Sequence, residues 1–295
     1  MFNTKVSIII PTYNHAHFIG KCLQSVVDQT YTNWEAIVIN NYSKDNTEEV
    51  AASFKDPRIK LINFNNNGII AASRNEGIKI SSGGYIAFLD SDDYWYKNKL
   101  EECVKALKDN DVVYHNLDVI TPKGKLFLKK VRSRRLDYPI FKDLITKGNT
   151  IGNSSAVVKK TIIKRTGLLN EDLRLVGIED FDYWLRISKE TEHFKFVNKI
   201  LGACWFGDSN YSKASDKRIE SLDFLYSQYE NDLNAEELKE LNAIKSYLSG
   251  RIKYLTGDYK KALALFIRAY KTKGLSLKIK ISIFIVLIFL KGIFK

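Results

Sequence analysis

Three carboxylates stand almost together at Asp90, Asp92 and Asp93, directly after the apolar run Tyr85-Ile86-Ala87-Phe88-Leu89. Carboxylates this close repel one another unless something positive sits among them, and a hard divalent cation with oxygen ligands is the simplest partner. Such an ion can bridge two phosphates and neutralise a departing diphosphate. The same residues also suit a strand-end turn followed by a helix N-cap, where Asp is favoured. An Asp-x-Asp alone does not decide between the two readings, so the elements around it must.

Those elements alternate. Residues 6–10 form an apolar, largely β-branched run ended by Pro11, which predicts a buried parallel strand. Phe18, Ile19, Cys22, Leu23, Val26 and Val27 then recur at helical spacing. Further strands are predicted at 36–39, 59–62, 85–89 and 112–115, with helices from about residue 47 and over 70–80 and 97–107. The alternation predicts an α/β fold with a mostly parallel sheet between helices. In such sheets ligands bind outside the carboxyl ends of the strands. The polar clusters starting at Pro11, Asn40 and Asp90 each follow a strand end and are expected to converge on one crevice.

After residue 116 the pattern changes. Residues 121–125 predict a hairpin turn between Val119-Ile120 and Leu126-Phe127. Lys129, Lys130, Arg132, Arg134 and Arg135 read as a solvated charged face or a mobile loop. A helix is expected near 141–146, a strand near 156–158, and a helix over 179–190 with Phe181, Trp184, Leu185 and Ile187 as its apolar stripe. From about Asp216 the chain reads as all-helical, and residues 254–269 resemble half of one tetratricopeptide-like pair. A repeat array needs about three copies, so this is a helical appendage. Two domains are expected, 1–212 and 213–295.

Four segments, in order, resemble the family 2 inverting glycosyltransferases. Val6-Ser7-Ile8-Ile9-Ile10-Pro11-Thr12-Tyr13-Asn14 is similar to their nucleotide-binding first strand. The run from Asn67 to Gly77, with Ala72-Ser73-Arg74-Asn75-Glu76-Gly77, resembles their Gly-containing helix entry and its Ser-Arg-Asn-x-Gly signature. Tyr85 to Asp93 resembles their metal-binding strand, and Glu179-Asp180 with the residues around it their Glu-Asp helix. The resemblance covers about two-thirds of the chain. It implies a GT-A fold, a nucleotide-diphosphate sugar donor, a divalent Mn2+ or Mg2+, and inversion at the anomeric carbon. Pro11, Tyr13 and Asn14 would line the base and ribose pocket, with Thr12, Asn40, Ser43 and Ser91 also among the donor-binding residues. Arg74 would contact the nucleotide or its phosphates, Asp90 would approach the ribose or sugar, and Asp92 would bind the metal. Asp180 would be the general base, with Glu179 positioning it or touching the acceptor.

The last role has a chemical basis. Inverting transfer is one displacement, so a base must take the acceptor hydroxyl's proton as it attacks, a contribution of about 10²–10⁴-fold. Asp180 opens a helix, whose dipole favours the ionised carboxylate. An ordinary acidic first helical turn is the competing reading of Glu179-Asp180.

The sequence departs from that family twice. Where the common pattern is Asp-Asp-Gly-Ser-x-Asp, this chain has Asn40-Asn41-Tyr42-Ser43-Lys44-Asp45. Asn40 can still accept a hydrogen bond but adds donors and loses the charge. Near the end of the catalytic domain, where the family often has a His at the metal or diphosphate, Cys204-Trp205-Phe206-Gly207-Asp208-Ser209-Asn210 has none; Asp208 is a substitute or part of a surface loop. His15, His17, His115 and His193 form no i, i+4 pair, and none is assigned as a catalyst or zinc ligand. Trp95 and Tyr96 suit sugar stacking or packing of the next helix equally.

The 295 residues are 45% hydrophobic, enough for one large α/β domain and an appendage. Cys22, Cys103 and Cys204 lie far apart, which excludes metal spacing and argues for buried reduced thiols. The net charge is +12, of which the segment 251–295 holds +10. That segment is also rich in Ile, Leu and Phe, which points to an anionic membrane surface at 275–295, or a buried C-terminal helix, and away from nucleic acid. No signal peptide and no run of roughly 17–25 apolar residues is present, so a cytoplasmic protein is expected, peripheral on the inner face of the membrane if the tail binds lipid. A homodimer is left open. The expected partners are a nucleotide-sugar and a hydroxyl of a glycan or lipid-linked precursor. The rivals are a nucleotidyltransferase, whose Gly-rich basic loop is missing at His15-Ala16-His17, and an inactive nucleotide- or carbohydrate-binding scaffold, suggested by Asn40 and the missing His.

Overall fold

The computed structural model describes residues 3–131, 133–207 and 214–293, with the backbone alone at 125–131 and 292–293. In chain order the first half forms β1 (Val6–Thr12), α1 (Ala16–Val27), β2 (Trp34–Asn40), α2 (Thr47–Ala52), β3 (Ile59–Asn63), α3 (Ile70–Ile80), β4 (Tyr85–Phe88), β5 (Tyr94–Trp95) and α4 (Lys99–Ala106). It continues with β6 (Val112–Thr121), β7 (Gly124–Val131), α5 (Ile140–Lys147), β8 (Val157–Lys159), α6 (Lys160–Thr166), α7 (Glu179–Glu190) and β9 (Phe194–Trp205). Helices α8 (Asp216–Ser227), α9 (Ala235–Leu255), α10 (Tyr259–Ala269) and α11 (Leu275–Ile293) complete it.

Two compact units result. One takes Met1–Ile140, Thr150–Asp172 and Glu179–Asp208; the other takes Phe141–Asn149, Leu173–Ile178 and Ser209–Lys295. The helical unit therefore includes two short stretches, Phe141–Asn149 and Leu173–Ile178, that precede its main segment.

The first unit is built on a sheet of nine described strands in the order β3-β2-β1-β4-β8-β6-β9-β5, with β7 paired to β6. The pairs among β3, β2, β1 and β4 are all parallel. Beyond β4 the sheet is mixed: β8 runs antiparallel to both β4 and β6, while β6 and β9 are parallel. The parallel half follows from the sequence, because every residue of β1 and β2 is buried and most are Val, Ile or Ala. Such strands need cover on both faces. α1 supplies part of it through Ile19, Cys22, Leu23 and Val26, all fully buried on one stripe. Each such side chain contributes about 1.5–3 kcal/mol.

α3 lies against β1 and β2 through Gly77. A Cβ at this position would meet Ile9 Cγ2 at 2.6 Å, so only glycine permits this approach. Arg74 sits one turn earlier on the same helix, and the close packing fixes its depth.

In the helical unit, α9 opens with a capping box in which the Asn234 side chain accepts from the Glu237 N–H and Glu237 accepts from the Asn234 N–H. Asp258 caps α10 by accepting from the Lys261 N–H. Phe266 and Phe284 stack with centroids 5.2 Å apart, and Tyr247 and Tyr254 pack against Phe284. Among the described residues no helix is long and apolar enough to cross a membrane.

Candidate active site

The three polar clusters named by the sequence do meet at one sheet edge. Thr12 at the end of β1 is in register with Asn40 at the end of β2, and the Asn41 N–H donates to the Thr12 carbonyl at 3.0 Å. One strand over, the Leu89 N–H donates to the Ile9 carbonyl at 3.1 Å, so the Asp90 cluster emerges beside β1. Adjacent parallel strands end at the same edge, where backbone and side-chain groups are available to a ligand.

Two loops are tied together there. Asn14 takes a left-handed φ of 52°, its N–H donates to Ser43 Oγ at 2.9 Å, and its Oδ1 accepts from the Lys44 N–H at 2.7 Å. Asp45 accepts from the Ala16 N–H at 3.0 Å. Pro11 and Thr12 are buried in β1, and the Thr12 hydroxyl finds no partner among the described residues. Tyr13 is 45% exposed at the crevice edge.

Asn40 is the last residue of β2. It is fully buried. Its Oδ1 accepts from Ser43 Oγ at 2.6 Å and from the Ser43 N–H at 3.2 Å, while its Nδ2 donates to Asn63 at 2.7 Å and lies 3.4 Å from Glu48 Oε2. A carboxylate here would face Glu48 and lose the donor that Asn63 accepts from. The amide therefore suits its surroundings, and Asn40 and Ser43 organise the 40–45 loop.

Arg74, expected at the nucleotide or its phosphates, lies deep in the fold. Only 2% exposed, it joins two of the motifs: one terminal nitrogen donates to Glu179 Oε1 at 2.5 Å and the other to Asp90 Oδ1 at 2.8 Å. Sixteen residues separate Arg74 from Asp90 and 105 from Glu179. The paired carboxylates raise its pKa against the opposing cost of burial. Asp90 is also held by Asn153 Nδ2 at 3.0 Å, and its N–H donates to Ser154 Oγ at 3.0 Å. Asn153 and Ser154 escaped the sequence reading, whose only signal was a polar turn after Gly152.

The other acids divide by role. The Asp93 carboxylate accepts from the Trp205 N–H at 2.8 Å, anchoring the acidic loop to the end of β9. Ser91 is buried, and its Oγ lies 2.7 Å from His15 Nδ1. Burial lowers the His15 pKa, with His17 adding to this and Asp90 and Asp45 opposing. Asp180 is half-buried at the start of α7, with one carboxylate oxygen accepting from the Phe181 N–H at 2.8 Å. Trp95 is buried, and its Nε1 donates to the Ser154 carbonyl at 2.7 Å, so it packs the scaffold. Tyr96 donates to Asp118 at 2.5 Å. Asp208 lies outside the described residues.

Asp92 and Asp93 are both carboxylates that burial and their neighbours hold well above the usual range. Burial, then the nearby Asp90, push the Asp92 pKa up to about 7, against a backbone hydrogen bond and the charge of Arg74. A divalent cation relieves that repulsion, so the donor set fits one. Among the described residues no three His, Cys, Asp or Glu side chains are grouped to hold a metal. An ion at Asp92 would therefore complete its shell with water and donor oxygens, as Mg2+ commonly does.

The raised pKa has a measurable consequence. From about pH 4 to about pH 7 the metal-free folded chain retains a proton on the buried Asp92–Asp93 pair that the unfolded chain has released. Stability is therefore gained as pH falls through 7 and lost as it rises. Melting curves at about pH 8 and about pH 6 should differ accordingly, and the Asp92→Asn variant should lose that part of the difference. An unchanged difference would place the titration elsewhere.

Comparison with known proteins shows the family and the fold. The model of "Glycosyl transferase family 2" matches residues 7–166. The E. coli protein named UDP-Glc:alpha-D-GlcNAc-diphosphoundecaprenol beta-1,3-glucosyltransferase WfgD is 33% identical over 261 residues, covering 86% of this chain and 96% of its own. Among solved structures, S. aureus TarS 1-349 in complex with UDP superposes with a TM-score of 0.63 at 19% identity, over 90% of this chain and 81% of that one. The mannosyltransferase PcManGT from Pyrobaculum calidifontis, in complex with GDP-Man and Mn2+, gives 0.62 at 17% identity over 97% and 81%. These neighbours share the GT-A fold. With the four motifs meeting at one edge of that fold, the chain belongs to glycosyl transferase family 2 and is a glycosyltransferase.

Proposed function

We propose that the chain transfers a hexose or N-acetylhexosamine from a UDP-sugar, with inversion, to a hydroxyl of a lipid-linked glycan precursor at the cytoplasmic face of the membrane. The observation that carries this reading is the Asp90–Arg74–Glu179 bridge. It couples the strand-end acidic cluster to the start of α7, so donor-side and acceptor-side acids share one buried cation.

In this mechanism Asp180 removes the acceptor proton as that oxygen attacks the anomeric carbon from the face opposite the diphosphate. The bond to the diphosphate oxygen breaks, and its electron pair leaves with UDP. Arg74 holds Glu179, which orients the acceptor and Asp180. Asp92 would hold Mn2+ or Mg2+ together with donor oxygens. When bound, that ion stabilises the charge developing on the diphosphate. Asn14 and Ser43 hold the loops that flank the base, and Tyr13 supplies an exposed ring for it. The names of the relatives support the substrate classes: WfgD is named for UDP-Glc as donor and a GlcNAc-diphosphoundecaprenol as acceptor.

The test incubates the purified chain with UDP-hexoses and UDP-N-acetylhexosamines and a GlcNAc-diphospho-lipid acceptor, and determines the product's anomeric configuration by NMR. A β-linked disaccharide from one donor is expected. An α-linked product contradicts inversion. UDP binding without transfer from any donor supports the inactive scaffold instead.

A further inference from the structure

Helix α11 is apolar on two sides. On one, Ile281 is fully buried and Phe284 stacks on Phe266, which closes the core of the helical unit. On the other, Leu275, Ile279, Ile283, Val286, Leu287 and Leu290 are each 38% exposed or more. Their spacing of three and four residues lays them in one stripe, on the order of 22 Å long. Exposed Ile267 of α10 and Tyr270 just after it extend it. Single exposed apolar residues are ordinary, but a continuous stripe of this length marks an interaction surface.

The charges around the stripe say what it meets. No acidic residue occurs from Lys271 to Lys291, while Lys271, Lys278, Lys280 and Lys291 all fall in that stretch. Lys278 lines the same groove of about 440 Å³ as Tyr270, Ile279 and Ile283, and Lys271 lines the adjoining one with Ile267. A two-fold pairing of this face with a second copy would set cations against cations, because an isologous contact presents the same patch twice. An anionic lipid surface complements both features at once.

We propose that this face docks in the plane of an anionic lipid bilayer. The exposed aliphatic side chains enter the headgroup–acyl boundary, and Lys271, Lys278 and Lys280 extend their stems along them to reach lipid phosphates. The helix lies on the membrane, since no described helix is long and apolar enough to cross one. This inference stands on the helical unit alone, so it survives or fails apart from the transferase reading.

The full chain is floated with vesicles of phosphatidylglycerol and phosphatidylcholine, and with vesicles of phosphatidylcholine only. Two variants are compared: Ile279→Glu/Ile283→Glu/Val286→Glu, and Lys278→Ser/Lys280→Ser. Flotation is expected with the anionic vesicles. It should fall by at least about tenfold in the first variant, which sets three carboxylates in the boundary. It should fall several-fold in the second and in high salt. Thermal unfolding curves like that of the parent would assign the loss to the face; if the triple variant does not fold, the lysine variant and the salt dependence carry the test. Failure to float, equal flotation with both vesicle types, or a dimer abolished by the triple variant while flotation persists would each overturn the proposal.

Discussion

Asp180→Asn is expected to leave UDP binding intact and to lower the rate of sugar transfer by about 10²–10⁴-fold, the usual contribution of a positioned general base. Asparagine preserves the acceptor oxygen that the Phe181 N–H uses, so the start of α7 should keep its geometry. It cannot take a proton from a hydroxyl. The loss should appear in kcat, with little change in KM for the donor, since only the transition state uses the missing base. A variant with near-parental turnover would remove Asp180 from the role and return Glu179-Asp180 to an acidic helix turn.

The second large effect belongs to Arg74→Met. The guanidinium is the shared cation of Asp90 and Glu179, with side-chain exposures of 3%, 30% and 7% respectively. Removing one partner of a buried ion pair typically costs about 3–5 kcal/mol, because the remaining charge is left uncompensated. For a domain near 200 residues this lowers the melting temperature by roughly 2–4 °C per kcal/mol. Transfer should fail alongside stability, since Glu179 and Asp90 lose their common anchor. Arg74→Lys should recover only part, because a lysine lacks the planar fork that serves two carboxylates together. Adding Glu179→Gln to Arg74→Met should restore part of the stability by deleting one stranded charge. If the double variant melts no higher than the single, the bridge is not the source of the loss.

Much of this site could be read from the sequence because its residues follow local patterns. The apolar run of β1 ends at Pro11-Thr12, β4 ends at the acidic cluster, and the apolar stripe of α7 begins at Glu179-Asp180. Strand ends in a parallel sheet share an edge, so convergence followed without knowing any contact. The helices over 70–80 and 179–190 match the observed α3 and α7. What was hidden depends on partners distant in sequence. Arg74 is expected from the sequence at the nucleotide or its phosphates, and only the fold reveals that it lies buried between two carboxylates. Asn40 reads as a weakened base contact, yet Glu48 and Asn63 explain its amide. β9 escaped notice because Lys195, Asn198 and Lys199 break any alternation, and its buried stretch is confined to 201–203. The mixed half of the sheet was hidden for the same reason: strand direction is set by pairing, which the short apolar run of β8 does not encode.

The most direct test of the central claim, that Asp92 and the donor's diphosphate together hold a divalent cation at this edge, is titration calorimetry of UDP into the protein with and without Mn2+, for the parent chain and for Asp92→Asn. The account predicts that Mn2+ tightens UDP binding at least about tenfold, equivalent to about 1.4 kcal/mol, and that Asp92→Asn abolishes the gain. Equal affinity with and without the metal, or an undiminished gain in the variant, would contradict it.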